Sequence, residues 1–176
     1  DEYENAEDFI EALHGKLRLM MANHGGNDHF KGIGVGAPNG NYYTGTIEYA
    51  PNLKWKGIIP VADLIEKKFG VPTKLTNDAN AAAVGEMMYG VAKGMKHFIT
   101  ITLGTGVGGA VFIHGRLYHG ARSGAGEVGQ MSIDYRGVEG PHGNTGALER
   151  YVGNKQVADR AQQLYADHGV SKSVDD

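Results

Sequence analysis

The chain of 176 residues contains no cysteine, which excludes disulfide bonds and any zinc or iron–sulfur site held by thiolates. No apolar run approaches the roughly 20 residues that a membrane-spanning helix needs, and no charged-then-apolar leader opens the sequence, so we expect a cytoplasmic protein. No block of Lys and Arg is present and the net charge is −3, which argues against electrostatic binding of nucleic acid.

The eight histidines do not have the spacing that is typical of a metal site, because neither H-x-x-x-H nor H-E-x-x-H occurs in the sequence. They are His14, His24, His29, His97, His114, His119, His142 and His168. The sequence therefore predicts no metal ion bound by the protein's own side chains.

Glycine, by contrast, is abundant, with 28 residues and neither a collagen period nor a low-complexity tract. The glycines are therefore expected in turns and where the backbone approaches a ligand closely. Apolar periodicity predicts an α/β protein, with helices near 6–22, 58–69, 81–89 and 147–168 and strands near 30–36, 71–76, 97–103 and 110–113. Two glycines in the segment 90–94 predict a boundary between domains 1–92 and 93–176, with the active site in the cleft between them.

The pair Asn77-Asp78 follows a predicted strand and precedes an Ala-rich helix. A carboxylate at that junction lies beside helix N–H groups, and it is placed to take a proton from a substrate hydroxyl that attacks phosphorus, while Asn77 holds a neighbouring hydroxyl. The alternative is an ordinary helix N-cap, a position at which Asn and Asp are both common.

A second glycine-rich segment, Gly104-Thr105-Gly106-Val107-Gly108-Gly109, joins two predicted antiparallel strands. Its backbone N–H groups suit a phosphate because no side chain stands in the way. A dinucleotide-binding fingerprint would need G-x-G-x-x-G before a helix, which this segment lacks. The alternative is a hairpin turn that binds nothing.

Glu127, Gln130 and Glu149 lie in or after small-residue loops, and carboxylates and amides of this kind suit sugar hydroxyls. The alternative is that each is a surface group, because Glu is seldom buried without a partner. Aromatic side chains are the other sugar-stacking candidates, with core packing or a lid as the alternative. They are Trp55, Tyr42, Tyr43 and Tyr49.

The order of these motifs is more specific than any one of them. The sequence runs G-A-P-N-G, P-N-L-K-W, N-D-A-N-A-A-A-V-G-E, I-T-L-G-T-G-V-G-G-A, A-G-E-V-G-Q and G-A-L-E. From about Phe30 to Gly153 it resembles the ROK family of bacterial sugar kinases and repressors, most closely the glucokinase-like members.

The resemblance implies an actin/hexokinase-like (ribonuclease H-like) fold of two α/β domains, and a homodimer that phosphorylates a hexose in carbohydrate metabolism and glycolysis. It implies that Asp78 is the general base for the 6-hydroxyl. It further implies that Asn39, Asn77, Glu127, Gln130 and Glu149 bind the sugar, and that Gly104, Thr105 and Gly106 face the phosphates of ATP, with Mg²⁺ balancing their charge.

Two departures from the family pattern change these expectations. The family usually has His where this chain has Gln130, and a Cys-rich zinc loop where this chain has residues 140–147. Structural zinc is therefore not expected, and Gln130 would supply a hydrogen bond to one hydroxyl.

The family's D-x-G-G-T loop and its adenosine-contacting C-terminal segment are also missing, so we expect a central fragment that does not turn over ATP by itself. Two other functions stay open: a sugar-sensing repressor of the same family, and a glycine-rich domain that binds another nucleotide.

Overall fold

The structure is a computed structural model that describes residues 3–24, 30–50, 53–140 and 143–173. The chain divides into two compact units, Asp1–Gly85 and Glu86–Asp176. The expected domain boundary after residue 92 stays a prediction. Within the described ranges, no helix is both long enough and apolar enough to cross a bilayer.

The first unit combines a parallel strand pair with a small antiparallel sheet. Its elements are α1 (Ala6–Asn23), β1 (Ile33–Ala37), β2 (Gly40–Asn41), β3 (Thr46–Glu48), β4 (Ile58–Ile59), α2 (Val61–Phe69), β5 (Thr73–Asn77) and the start of α3 (Asp78–Tyr89). Strand β1 pairs with β5 in parallel, while β2, β3 and β4 form an antiparallel sheet. A parallel pair needs a long crossover, and α2 lies within it.

Helix α2 begins later than the sequence pattern predicted. Ile58 and Ile59 pair with β3 instead of joining the helix, and Pro60 takes the N-cap position. The missing N–H of proline costs nothing there, because the first amides of a helix have no intrahelical acceptor. Gly70, in the left-handed conformation at φ 68°, ends the helix as its sequence indicated.

The core of the first unit lies between its helices and its strand pair. Ile65 and Leu75 are each only 1% exposed. Burial of a side chain of this size contributes about 1.5–3 kcal/mol. Trp55 packs against the same core, and its indole N–H donates to the Tyr3 carbonyl at 3.2 Å, so the structure supports packing for this residue. The core fixes α2 and β5, and β5 leads directly to Asn77 and Asp78.

The second unit contains an antiparallel meander of β6 (Phe98–Leu103), β7 (Val107–Ile113) and β8 (Arg116–Leu117). The rings of Phe98 and Phe112 stack across it at 4.5 Å. The segment near 147–168 is helical as predicted, but the structure divides it into α4 (Glu149–Val152) and α5 (Asn154–Asp167). Gly153 separates them with extended backbone at ψ 154°.

Candidate functional site

Asn77 and Asp78 lie where β5 ends and α3 begins. The Asn77 Oδ1 accepts hydrogen bonds from the amides of Ala79 at 2.9 Å and Asn80 at 3.4 Å. The N-cap role therefore belongs to Asn77. Asp78 is exposed, and its Oδ1 accepts from the Ala79 amide at 2.8 Å. The cap interpretation thus accounts for Asn77 and leaves an exposed carboxylate at the positive end of a helix.

The end of β1 lies against the same junction. In the parallel register, Gly36 is opposite Thr76 and Ala37 is opposite Asn77. A Cβ added to Gly36 would lie 3.5 Å from the Asp78 Cα and 2.9 Å from the Ala81 Cβ. The close fit of strand and helix therefore depends on a residue without a side chain at position 36.

Asn39 lies in the turn that follows β1, at the same sheet edge as Asp78. Its backbone has a positive φ of 52°, a conformation that Asn tolerates better than most residues. Its side-chain amide donates to the Glu48 carbonyl at 2.9 Å. The amide nitrogen thus holds the turn, and the side-chain oxygen is the atom left to accept from a sugar hydroxyl. The sugar-binding role of Asn39 stays a prediction.

Asn80 is a polar residue of this junction that the sequence reasoning did not assign to the site. It is 3% exposed, and its amide nitrogen lies 3.4 Å from the Thr76 hydroxyl. Within the described part of the chain its Oδ1 is buried without a hydrogen-bond partner. The available signal was an amide three residues after Asn77 in an otherwise Ala-rich helix.

In the second unit, Gly104, Thr105 and Gly106 form the turn between β6 and β7. The Gly104 amide donates to the Gly106 carbonyl at 3.0 Å, which closes the turn. The amides of Thr105 and Gly106 are therefore the two candidates for binding a phosphate. We call these three residues the phosphate loop.

Glu149 lies beside this loop. It is the first residue of α4, and its side chain is half-buried. A Cβ added to Gly106 would lie 2.7 Å from the Glu149 Oε2. Sequence reasoning assigned Glu149 to a sugar and the loop to phosphates, and it contained no signal for the contact between them.

Glu127 precedes a single 3-10 turn, Val128–Gln130, and Gln130 is its last residue. Glu127 is exposed, whereas the Gln130 Oε1 is buried and, among the described residues, has no hydrogen-bond partner. A Cβ added to Gly129 would lie 2.0 Å from the Val107 carbonyl oxygen. The turn is thus packed on the backbone of β7.

The candidate residues divide between the two units. Asn39, Asn77 and Asp78 belong to the first unit, and the phosphate loop, Glu127, Gln130 and Glu149 belong to the second. Within the first unit the structure brings Asp78, Asn77 and the Asn39 turn to one sheet edge, and within the second it brings Glu149 to the phosphate loop. A single pocket formed by both sets stays a prediction.

Comparison with known proteins gives the family. Residues 2–174 match the ROK family. The chain belongs to the ROK family. It is 36% identical over 157 residues to a glucokinase of Halalkalibacterium halodurans, which covers 88% of this chain and 47% of that protein. It is 33% identical over 146 residues to the xylose repressor of Caldicellulosiruptor bescii, covering 82% of this chain and 35% of the repressor.

Solved ROK structures share the fold. A ROK glucokinase from Streptomyces griseus, in complex with glucose and AMPPNP, superposes with a TM-score of 0.75 at 30% identity, over 95% of this chain and 52% of that one. The ROK hexokinase of Thermus thermophilus gives 0.76 at 28% identity, over 96% and 54%. The chain therefore has the actin/hexokinase-like α/β fold of ROK kinases, and it spans about half the length of these structures.

Asn144 is hydrogen-bonded to Gly140 and to Gln130. The Asn144 side-chain amide donates to the Gln130 carbonyl at 2.8 Å, and the Gly140 amide donates to the Asn144 carbonyl at 2.6 Å. Within the described ranges no three metal-ligating side chains are grouped closely enough to hold an ion. His142 lies outside those ranges, so the expectation of no zinc stays a prediction.

Asn144→Ala is expected to lower the free energy of unfolding by about 1–2 kcal/mol, because it removes a hydrogen bond to a main-chain carbonyl. It is also expected to weaken sugar binding, since Gln130 loses its anchor. The measurements are denaturant unfolding and sugar titration, with the exposed neighbour variant Thr145→Ala as the control. Equal stability and affinity in the two variants would contradict the anchoring role.

His119, in the loop before Glu127, is expected to make the stability of the protein depend on pH. Its carbonyl accepts from the Ala125 amide at 3.1 Å, and burial lowers the pKa of its imidazole below the usual 6.5. As the pH falls through 6.5, His119 becomes protonated in the unfolded chain before it does so in the folded chain. The free energy of unfolding therefore decreases toward acid pH. His119→Gln is expected to make this decrease in the free energy of unfolding smaller. His168→Gln, at an exposed position, is expected to leave the decrease as it is in the wild type. Parallel pH profiles for wild type and His119→Gln would contradict the assignment.

Proposed function

We propose that the protein transfers the γ-phosphoryl group of ATP to the 6-hydroxyl of a hexose, with glucose favoured and Asp78 as the general base. The observation that carries the proposal is the division of roles at the β5–α3 junction. Asn77 caps the helix, which leaves the exposed Asp78 carboxylate for chemistry. The glucokinases among the relatives support this function.

In the proposed reaction, Asp78 accepts the proton of the sugar hydroxyl as the hydroxyl oxygen attacks the γ-phosphorus of ATP. The bond between the γ-phosphorus and the β–γ bridging oxygen breaks, and ADP leaves. The Asn77 amide nitrogen and the Asn39 side-chain oxygen hold neighbouring hydroxyls. In the second unit, Glu127, Gln130 and Glu149 hold the others. The buried Oε1 of Gln130 supports its place in this set, because a buried acceptor without a partner is costly and a sugar hydroxyl would satisfy it.

The phosphate loop is proposed to bind the phosphates of ATP. Two features of the loop suit a phosphate. The hydrogen bond from the Gly104 amide to the Gly106 carbonyl closes a tight turn, and two of the three residues are glycines without side chains. Mg²⁺ usually keeps several waters and binds through substrate phosphates with one or two carboxylates. The chain would thus receive Mg²⁺ with the nucleotide, and the ion would neutralise charge on the phosphates.

The test is mass spectrometry of sugars incubated with ATP, Mg²⁺ and the full-length protein that carries this sequence. Glucose, mannose, fructose and N-acetylated hexoses form the panel. The expected result is a gain of one phosphoryl group on a hexose, with glucose the preferred substrate. Sugar binding without any phosphorylated product would contradict the proposal.

A sugar-responsive repressor is the second candidate, because the xylose repressor of Caldicellulosiruptor bescii matches the same region of this chain. Asp78 favours the kinase, since a sensor needs hydroxyl contacts but no general base. A repressor would bind operator DNA in a sugar-dependent manner and release no ADP. Homodimerisation is proposed from the family alone, and sedimentation of the full-length protein tests it.

A further inference from the structure

Gly106 and Glu149 are in contact although they were expected to serve different ligands. The space that a Cβ on Gly106 would occupy lies 2.7 Å from the Glu149 Oε2 and 3.6 Å from its Cδ. A real Cβ essentially never approaches an oxygen atom to 2.7 Å. The carboxylate therefore lies in the space that glycine leaves empty.

Two more contacts join the residues that follow α4 to the rest of the phosphate loop. The amide of Asn154, the first residue of α5, donates to the Gly104 carbonyl at 2.8 Å. A Cβ added to Gly153, between α4 and α5, would lie 2.8 Å from the Thr105 carbonyl oxygen. The first residue of α4 and the two residues that follow the helix thus contact all three residues of the phosphate loop. The position of Glu149 is set jointly by α4 and by the loop.

We propose that Gly106 is a positioning residue for Glu149: its missing side chain leaves the space in which the carboxylate lies, so that the phosphate loop determines how this carboxylate meets the sugar. The inference rests on the proposed function, in which Glu149 binds sugar hydroxyls. The inference goes beyond that function because it gives Gly106, a residue of the phosphate loop, an effect on sugar affinity even when no nucleotide is bound. A shift of the loop on ATP binding would therefore alter sugar affinity, and by linkage the sugar would alter ATP affinity by the same factor.

The second unit offers a matched pair of substitutions. Gly106→Ala would displace the Glu149 carboxylate, and because the displaced atoms are the far end of a flexible side chain, the fold tolerates the change. Gly124→Ala adds the same methyl group outside the binding residues, where nothing lies within 4 Å. Neither glycine has the positive φ that would strain an alanine. The two variants therefore separate displacement of Glu149 from the general effect of an added methyl group.

The experiment is calorimetric titration of the full-length protein with glucose in the absence of nucleotide. Loss of a hydrogen bond to a charged group predicts an affinity about ten- to hundredfold weaker for Gly106→Ala. Gly124→Ala is expected to bind glucose as the wild type does, and both variants are expected to keep the wild-type melting temperature. If Gly106→Ala binds glucose normally, or if both variants weaken equally, the inference is overturned. If the wild type itself binds no hexose of the panel, the proposed function fails and the inference fails with it.

A rescue variant adds a readout that a general structural defect would not change. Glu149→Asp draws the carboxylate back by one methylene, about 1.5 Å, away from the added methyl group. The double variant Gly106→Ala/Glu149→Asp is expected to bind glucose no more weakly than Glu149→Asp alone. If the double variant instead loses as much binding free energy as the two single variants together, the residues act independently and the inference is overturned.

Discussion

Asp78→Asn is expected to lower the rate of sugar phosphorylation about 10²- to 10⁴-fold, the range over which a positioned general base contributes. Sugar affinity is expected to change little, because the amide keeps the size of the side chain and an oxygen that accepts from Ala79 as Oδ1 does in the wild type. The measurement is sugar-dependent ADP release by the full-length protein under saturating ATP, with sugar affinity determined separately.

The control is Asp63→Asn, which removes an exposed carboxylate from α2 in the same unit and so changes the net charge equally. It is expected to leave the rate unchanged. A loss of affinity without a loss of rate in Asp78→Asn would make Asp78 a sugar ligand rather than a base. That result would contradict the assignment of Asp78 as the general base, although the protein would remain a kinase.

Gly129→Ala is expected to lower both the stability of the protein and its affinity for glucose, with the largest expected effect after that of Asp78→Asn. Its Cβ would lie 2.0 Å from the Val107 carbonyl oxygen, which is main-chain and has no flexible end to move aside. Forcing the turn Val128–Gln130 off β7 is expected to cost about 1–3 kcal/mol of stability and to abolish sugar binding, since Gln130 ends that turn and Glu127 precedes it. The measurements are denaturant unfolding and glucose titration.

Gly124→Ala is the matched control, because it lies in the same loop and nothing would be within 4 Å of its Cβ. It is expected to change stability by no more than about 0.5 kcal/mol, as for most surface substitutions. Normal glucose affinity in Gly129→Ala would show that the sugar does not depend on this turn, and the assignment of Glu127 and Gln130 would then be wrong.

The β5–α3 junction was predictable because its signals are local. A predicted strand, a polar pair and an Ala-rich helix are adjacent in sequence, and the structure has β5 end at Asn77 and α3 begin at Asp78. The cap and the base were alternatives for one dipeptide. The hydrogen bonds show that Asn77 is the cap. Because Asn and Asp are both common N-caps, the sequence alone does not distinguish between Asn77 and Asp78.

The Gly106–Glu149 contact was not predictable, because it joins residues 43 positions apart (149 − 106 = 43) through packing that no local pattern encodes. The break between α4 and α5 was missed for the same reason. Helical periodicity continues across Gly153, but the close approach of the Thr105 carbonyl requires a glycine there. Buried Asn80 also gave no strong signal, since polarity in a helix normally indicates an exposed face.

The most direct test of the account is a crystal structure of the full-length protein with glucose and a non-hydrolysable ATP analogue. The account predicts that the sugar's 6-hydroxyl oxygen lies within hydrogen-bond distance of the Asp78 carboxylate, about 2.6–3.2 Å. It also predicts that Glu149 contacts another hydroxyl while remaining beside Gly106. A bound glucose whose 6-hydroxyl is directed away from Asp78 would contradict the account.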